Sequence, residues 1–124
     1  MKYDIVISTS HKNKELASKV ASELMSMGFK VYSPNFSHGK SEEEIDDNFI
    51  KFLLDEHLEA IDNGKILYVI CVEGNVGKSV SSEIGYAKAK ELKIIFSEKP
   101  LDLGINAYAE DYISIDSLNT FLNI

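Results

Sequence analysis

Three short apolar runs constrain this chain more than any other feature: YDIVI at 3–7, KILYVICV at 65–72 and KIIF at 93–96. Each is rich in β-branched residues and too short to be a helix with a buried stripe, so each reads as a strand. The middle run is almost continuously apolar, as expected of a strand covered on both faces. Longer stretches with apolar residues at helical spacing lie between them. Leu16, Val20, Leu24 and Met27 form one, ended by Gly28. Ile45, Phe49, Phe52, Leu53 and Leu58 form another, with Ser41 as its expected cap. A third helix is expected from about 79 to 92. A strand at 29–32 stopped by Ser33-Pro34, a strand at 112–115 and a last helix from Asp116 or Ser117 complete the pattern.

Regular alternation of strand and helix implies right-handed crossovers and a mainly parallel sheet. The expected architecture is an α/β three-layer sandwich of flavodoxin-like type, with five parallel strands in the order 2-1-3-4-5. Such a sheet binds ligands at the carboxyl ends of strands 1 and 3, where the strand order reverses. Here those ends are Ser8, Thr9, Ser10 and His11, and residues 72–78. With 124 residues, no repeat and no linker-like segment, one domain over 1–124 is expected.

Composition excludes several function classes. A net charge of −7 argues against a nucleic-acid polymer as partner, since binding one needs a basic footprint. The acidic run SEEEIDD at 41–47 reads as a solvated helix start. No window reaches transmembrane length, and MKYDIVIST runs straight into a strand without a leader pattern, so no membrane partner is expected. Cys71 is the one cysteine, which rules out a disulfide framework and points to a reducing, cytoplasmic location. The three histidines are too dispersed for a metal site, and neither metal nor cofactor is expected.

The stretch EGNVGKSVSSEIGYA, 73–87, falls at the expected crevice. GNVGKS is not a Walker A loop, because the position five before Gly77 is Val72 and not glycine. Two readings of the turn stand open. Gly77, Lys78 and Ser79 can contact a phosphate or ribose at a helix N-terminus, or the turn is plain glycine chemistry with Ser79 as a cap. Glu83 lies four residues after Ser79, on the shoulder of a core stripe formed by Val80, Ile84 and Ala87. Near a helix N-terminus its carboxylate is expected to stay ionised. Asn75 is placed for a ribose or base contact, and is equally an ordinary turn residue.

Residues 62–96, with Glu83-Ile84-Gly85-Tyr86-Ala87 at their centre, resemble the signature half of the nucleoside 2-deoxyribosyltransferase family. The resemblance implies that Glu83 attacks or stabilises the anomeric carbon of an N-glycosidic bond. Breaking that bond builds oxocarbenium character, which a fixed carboxylate traps or holds, while a second group protonates the leaving base. The family carries an aspartate in the helix before the central strand; gapless counting puts His57 there. A histidine can donate the proton at neutral pH, or simply sit on the surface of so polar a helix. The family's first-strand tyrosine has Val6 as its nearest counterpart. Ser8 and Ser10 would then steady ribose hydroxyls, and Lys78 and Ser79 a 5′-phosphate.

The amino-terminal half, YDIVISTSHKNKELASKVASELMSMGFKVYSP, resembles the opening of a TIR domain. That resemblance implies either hydrolysis of the nicotinamide–ribose bond of NAD by Glu83, or a signalling module. Both resembled families form oligomers, which implies a homodimer or larger assembly, with Phe121, Leu122 and Ile124 able to seal a neighbour's site. A non-catalytic nucleotide-binding or assembly module on the same fold is the third possibility. Around the crevice, His11 can lie over a base or ribose, and Asn35, Phe36 and His38 can form a lid. The favoured expectation is cleavage or transfer of a nucleoside or nucleotide N-glycosidic bond through Glu83, with hydrolysis ahead of base exchange.

Overall fold

The computed structural model describes residues 2–36 and 39–122, excepting the side chains of 119, 121 and 122. The expected lid histidine, His38, and the sealing side chains of Phe121, Leu122 and Ile124 lie outside what is described.

Among the described residues, five strands form one sheet: β1 (Tyr3–Ser8), β2 (Val31–Tyr32), β3 (Gly64–Val69), β4 (Lys93–Phe96) and β5 (Asp111–Tyr112). Their order is β2-β1-β3-β4-β5, and every neighbouring pair is parallel. The five-stranded parallel sheet with helices on both faces is the expected α/β architecture. The helices are α1 (Lys14–Ser26), α2 (Asp47–Asp62), α3 (Lys78–Ala89), α4 (Leu103–Asn106) and α5 (Ile115–Leu122).

Side-chain alternation along the strands divides the core in two. Ile5 and Ile7 of β1, Tyr68 of β3 and Ile95 of β4 face α1 and α5, where Ala17, Val20, Ala21, Leu24 and Leu118 meet them. Val6, Leu67, Val69, Ile94 and Phe96 face α2 and α3, packing on Ala60, Ile61, Val80, Ile84 and Ala87. The Tyr68 hydroxyl, fully enclosed, donates to the Ile113 carbonyl at 2.6 Å, so this aromatic leaves no polar group stranded.

Several boundaries differ from expectation for local reasons. Ser41 does open a capping box, but only for a single 3-10 turn at Glu42–Glu44. α2 starts afresh at Asp47, with Asp46 accepting from the Phe49 amide as its true cap. α3 begins one residue earlier than expected, with Gly77 and not Ser79 in the cap position. β3 ends at Val69, and residues 72–74 turn instead of extending the strand. In that turn Glu73 and Gly74 both have positive φ, 58° and 78°. A side chain on Gly74 would also press within 2.9 Å of Leu101, so glycine is required there on two counts. The short α4 has no helical stripe in the sequence to announce it; its Asp102 cap accepts from the Ile105 amide. Among the described residues no helix is long and apolar enough to cross a membrane.

Candidate functional site

Glu83 sits on α3 next to the stripe that packs on the sheet, one position before Ile84. Gly77 caps α3 without a side-chain hydrogen bond, which leaves the first amides of the helix to whatever occupies the space before them. The stripe pulls Glu83 inward until it is only 8% exposed. Its position in the second turn weakens the help of the helix dipole, and desolvation dominates. Burial pushes its carboxyl up from 4.5 to about 7, with the nearby Ser8 hydroxyl opposing the rise. Burial thus works against the ionised carboxylate that a place near the helix start implies by itself.

His57 comes from the middle of α2 and is 5% exposed, so it is no surface histidine. Its Nδ1 lies 3.3 Å from Glu83 Oε2, and its Nε2 lies 3.1 Å from Ser8 Oγ at the end of β1. Burial pushes the imidazole down from 6.5 to about 4. The Tyr32 ring packs on the imidazole at a centroid distance of 5.1 Å. Tyr32 itself is held well above the ordinary range of a phenol, chiefly by burial and then by Glu56 and Glu83. Among the described residues Glu83 Oε1 has no hydrogen-bond partner, although it is buried. Such an atom costs free energy unless a ligand supplies what it lacks.

Serine, histidine and carboxylate in a row of polar contacts resemble a hydrolytic triad, but the polarity is reversed. Ser8 is 0% exposed and is kept from the pocket, whereas His57 and Glu83 both line it.

The pocket has a volume of about 620 Å³ and two chemically distinct sides. Tyr32, Pro34, Phe36, Ile45, Ile50, Leu53 and Leu54 form an apolar side. Thr9, Ser10, His11, Gly77, Lys78 and Ser79 form the polar side, and His57, Val80 and Glu83 line the wall as well. The volume and the mixture suit a small organic molecule with an apolar end and a polar end. His11 meets Phe36 edge-on at 5.0 Å, joining the two sides at the rim.

Of the residues singled out from sequence, Thr9, Ser10, His11, His57, Gly77, Lys78, Ser79 and Glu83 converge on this pocket. Thr9 is anchored there through its hydroxyl, which donates to the Ile70 carbonyl at 2.8 Å. Ser8 lies behind the wall, where its hydroxyl meets His57 and also acts on the Glu83 carboxyl. Asn75 is exposed and off the pocket wall, because the left-handed turn at Glu73-Gly74 redirects the chain before it. Sequence reasoning misses Tyr32 and the apolar side contributed by α2. A signal for the latter exists: Ile50, Phe52, Leu53 and Leu54 crowd α2 with more apolar residues than one sheet-facing stripe uses. Tyr86, in the Glu-Ile-Gly-Tyr-Ala segment, braces the site from outside. Its hydroxyl donates to Asp62 at 2.7 Å, tying α3 to the end of α2. Among the described residues no cluster of His, Cys, Asp or Glu could hold a metal ion.

No protein-family model matches the chain, and no curated protein does. Solved structures do. One belongs to a study of a 2-deoxyribosyltransferase from the psychrotolerant bacterium Bacillus psychrosaccharolyticus, at 16% identity and a TM-score of 0.69, covering 93% of this chain and 89% of that one. Another is a conserved protein from Enterococcus faecalis V583, at 14% identity and a TM-score of 0.67, covering 99% of this chain and 98% of that one. Over nearly its whole length, this chain has a 2-deoxyribosyltransferase-like fold.

Proposed function

We propose that the protein cleaves or transfers the N-glycosidic bond of a nucleoside or nucleotide, with Glu83 as the group that meets the anomeric carbon. The observation that carries this reading is the buried, unpartnered Oε1 of Glu83 on the wall of a two-sided pocket. The likeness in fold to a 2-deoxyribosyltransferase supports the same chemistry. A base would lie against Tyr32, Phe36 and the α2 leucines, and the sugar over Glu83. The uncapped start of α3, with Lys78 and Ser79, would take a 5′-phosphate if one is present.

As the C1′–N bond breaks, its electron pair leaves with the base, which gains a proton. His11, an exposed imidazole on the pocket wall, is the proposed donor of that proton. The ionised Oε1 forms a bond to C1′ or holds the cation. Water oxygen then bonds to C1′, its proton passes to the His11 imidazole that gave one to the base, and any C1′–Oε1 bond breaks with its electron pair returning to the carboxylate. Hydrolysis is ranked ahead of base exchange because His57 stands where the resembled family carries its second acid.

The test is incubation with deoxynucleosides, their monophosphates and NAD, followed by assay for free base. Base released from deoxynucleosides or their monophosphates, and lost in Glu83→Gln, supports the proposal. Nicotinamide release from NAD would shift the reading to TIR-like glycohydrolysis. Ligand binding with no product from any substrate, unchanged in Glu83→Ala, would make the protein a binding module.

A further inference from the structure

We propose that Ser8 and His57 form a positioning dyad for Glu83, in which the imidazole changes tautomer and not charge when the carboxyl gains or loses its proton. The geometry allows two states in which both imidazole nitrogens and Oε2 of Glu83 have a partner, with Oε1 left to the pocket. With Glu83 ionised, the Nδ1–H of His57 donates to Oε2 across 3.3 Å, and Nε2 accepts from the Ser8 hydroxyl across 3.1 Å. With Glu83 protonated, its O–H donates to Nδ1, and Nε2–H donates to Ser8 Oγ. The second state holds one proton more than the first, and His57 is neutral in both. Ser8 serves either state because a hydroxyl both donates and accepts.

The surroundings favour a neutral ring. His57 is buried, and that burial holds its titration far below neutrality. The groups that face the row are Tyr32 from β2, with Glu56 of α2 near its hydroxyl, and Lys78 of α3 and His11 on the pocket wall. Tyr32 presents its aromatic ring to the imidazole, and its hydroxyl donates to Glu56 at 3.5 Å.

Two consequences follow. Oε2 is fixed in both states, so Oε1 is the oxygen always aimed at the ligand. No imidazolium forms beside the carboxylate, so its negative charge is not quenched when it is needed at C1′. Ser8 and His57 are thus positioning residues; Ser8, enclosed behind the wall, touches no ligand. The kinetic consequence rests on the glycosidic reading above, while the tautomer change does not.

The decisive measurement is 15N NMR of the His57 ring in the ligand-free protein from about pH 5 to about pH 9. The expected result is Nδ1–H at the alkaline end and Nε2–H at the acid end, the exchange tracking the 13C titration of the Glu83 carboxyl. One tautomer throughout, or an imidazolium while Glu83 titrates, overturns the dyad whether or not any substrate turns over. In Ser8→Ala the tautomer exchange should decouple from the carboxyl titration. Where base release is measurable, kcat should fall about tenfold with KM changed less than about twofold. An Ser8→Ala protein that retains wild-type tautomer coupling and kcat would equally refute it.

Discussion

On one face of the sheet Ile5, Ile7, Tyr68 and Ile95 meet α1 and α5, and the polar atom buried with them, the Tyr68 hydroxyl, has its acceptor. On the other face Val6, Leu67, Val69 and Phe96 meet α2 and α3 in an equally apolar core. At the carboxyl end of that second face, however, His57 and Glu83 are buried together and Oε1 of Glu83 is left unsatisfied. The same packing chemistry therefore serves two ends. The first face is closed and completes itself; the second is completed only by something from outside. Unsatisfied buried polarity concentrated at one edge of an otherwise well-packed sheet is how a fold marks a site.

The comparison can be broken most sharply by mutating one residue from each face. Glu83→Gln should lower base release on the order of a thousandfold or more while the protein stays folded. In the wild type, base release should rise with pH through about 7, as the carboxylate forms. Leu24→Ala, on the α1 face, should do the opposite. It should cost about 2–5 kcal/mol by denaturant unfolding, with kcat nearly unchanged in whatever protein remains folded.

The pH dependence of stability sharpens the contrast. Glu83 is raised from 4.5 to about 7, so alone it favours the folded state at low pH and loses that contribution as pH rises through about 7. His57 is lowered from 6.5 to about 4, so alone it favours the folded state at high pH and loses that contribution as pH falls through about 4. Between about pH 4.5 and about pH 6.5 the folded pair holds one proton, on Glu83, and the unfolded pair also holds one, on the histidine. The wild type should accordingly show almost no slope from this pair across that window. Glu83→Gln should expose a rise in stability with pH of up to about 3 kcal/mol, and His57→Gln a fall of similar size. Urea unfolding at a series of pH values checks both signs; parallel curves for the three proteins would refute the pairing.

Smaller effects test the closed face and the scaffold. Tyr68→Phe should cost about 1–3 kcal/mol, because the Ile113 carbonyl loses its donor in a buried place. Asp46→Ala should cost about 1 kcal/mol, and Ser41→Ala less, if Asp46 and not Ser41 starts α2. Both are read by the same urea unfolding.

Much of the fold is legible in the chain itself. The runs at 3–7, 65–72 and 93–96 carry the sheet because β-branched alternation is a local property of the backbone. Glu83 stands out from its place on the helix after the central strand, and His57 only through the family resemblance, by counting to the position of its aspartate. Their burial is not legible, since a glutamate on a helix shoulder and a histidine on a polar helix usually stay wet. Tyr32 carries no sequence signal because its two-residue strand ends beside α2 only after a crossover has brought them together. Asn75 reads as a crevice residue because nothing in the sequence signals that Glu73 will take a positive φ.

What the sequence alone determined is the order of elements, the parallel sheet and the end of it where a ligand belongs, because hydrophobic period and turn residues act over a few residues at a time. Tertiary structure alone decided that Ser8, His57 and Glu83, from β1, α2 and α3, come into polar contact in one dry place. Their ionisation follows from the water that three converging elements exclude, and no single segment contains that information.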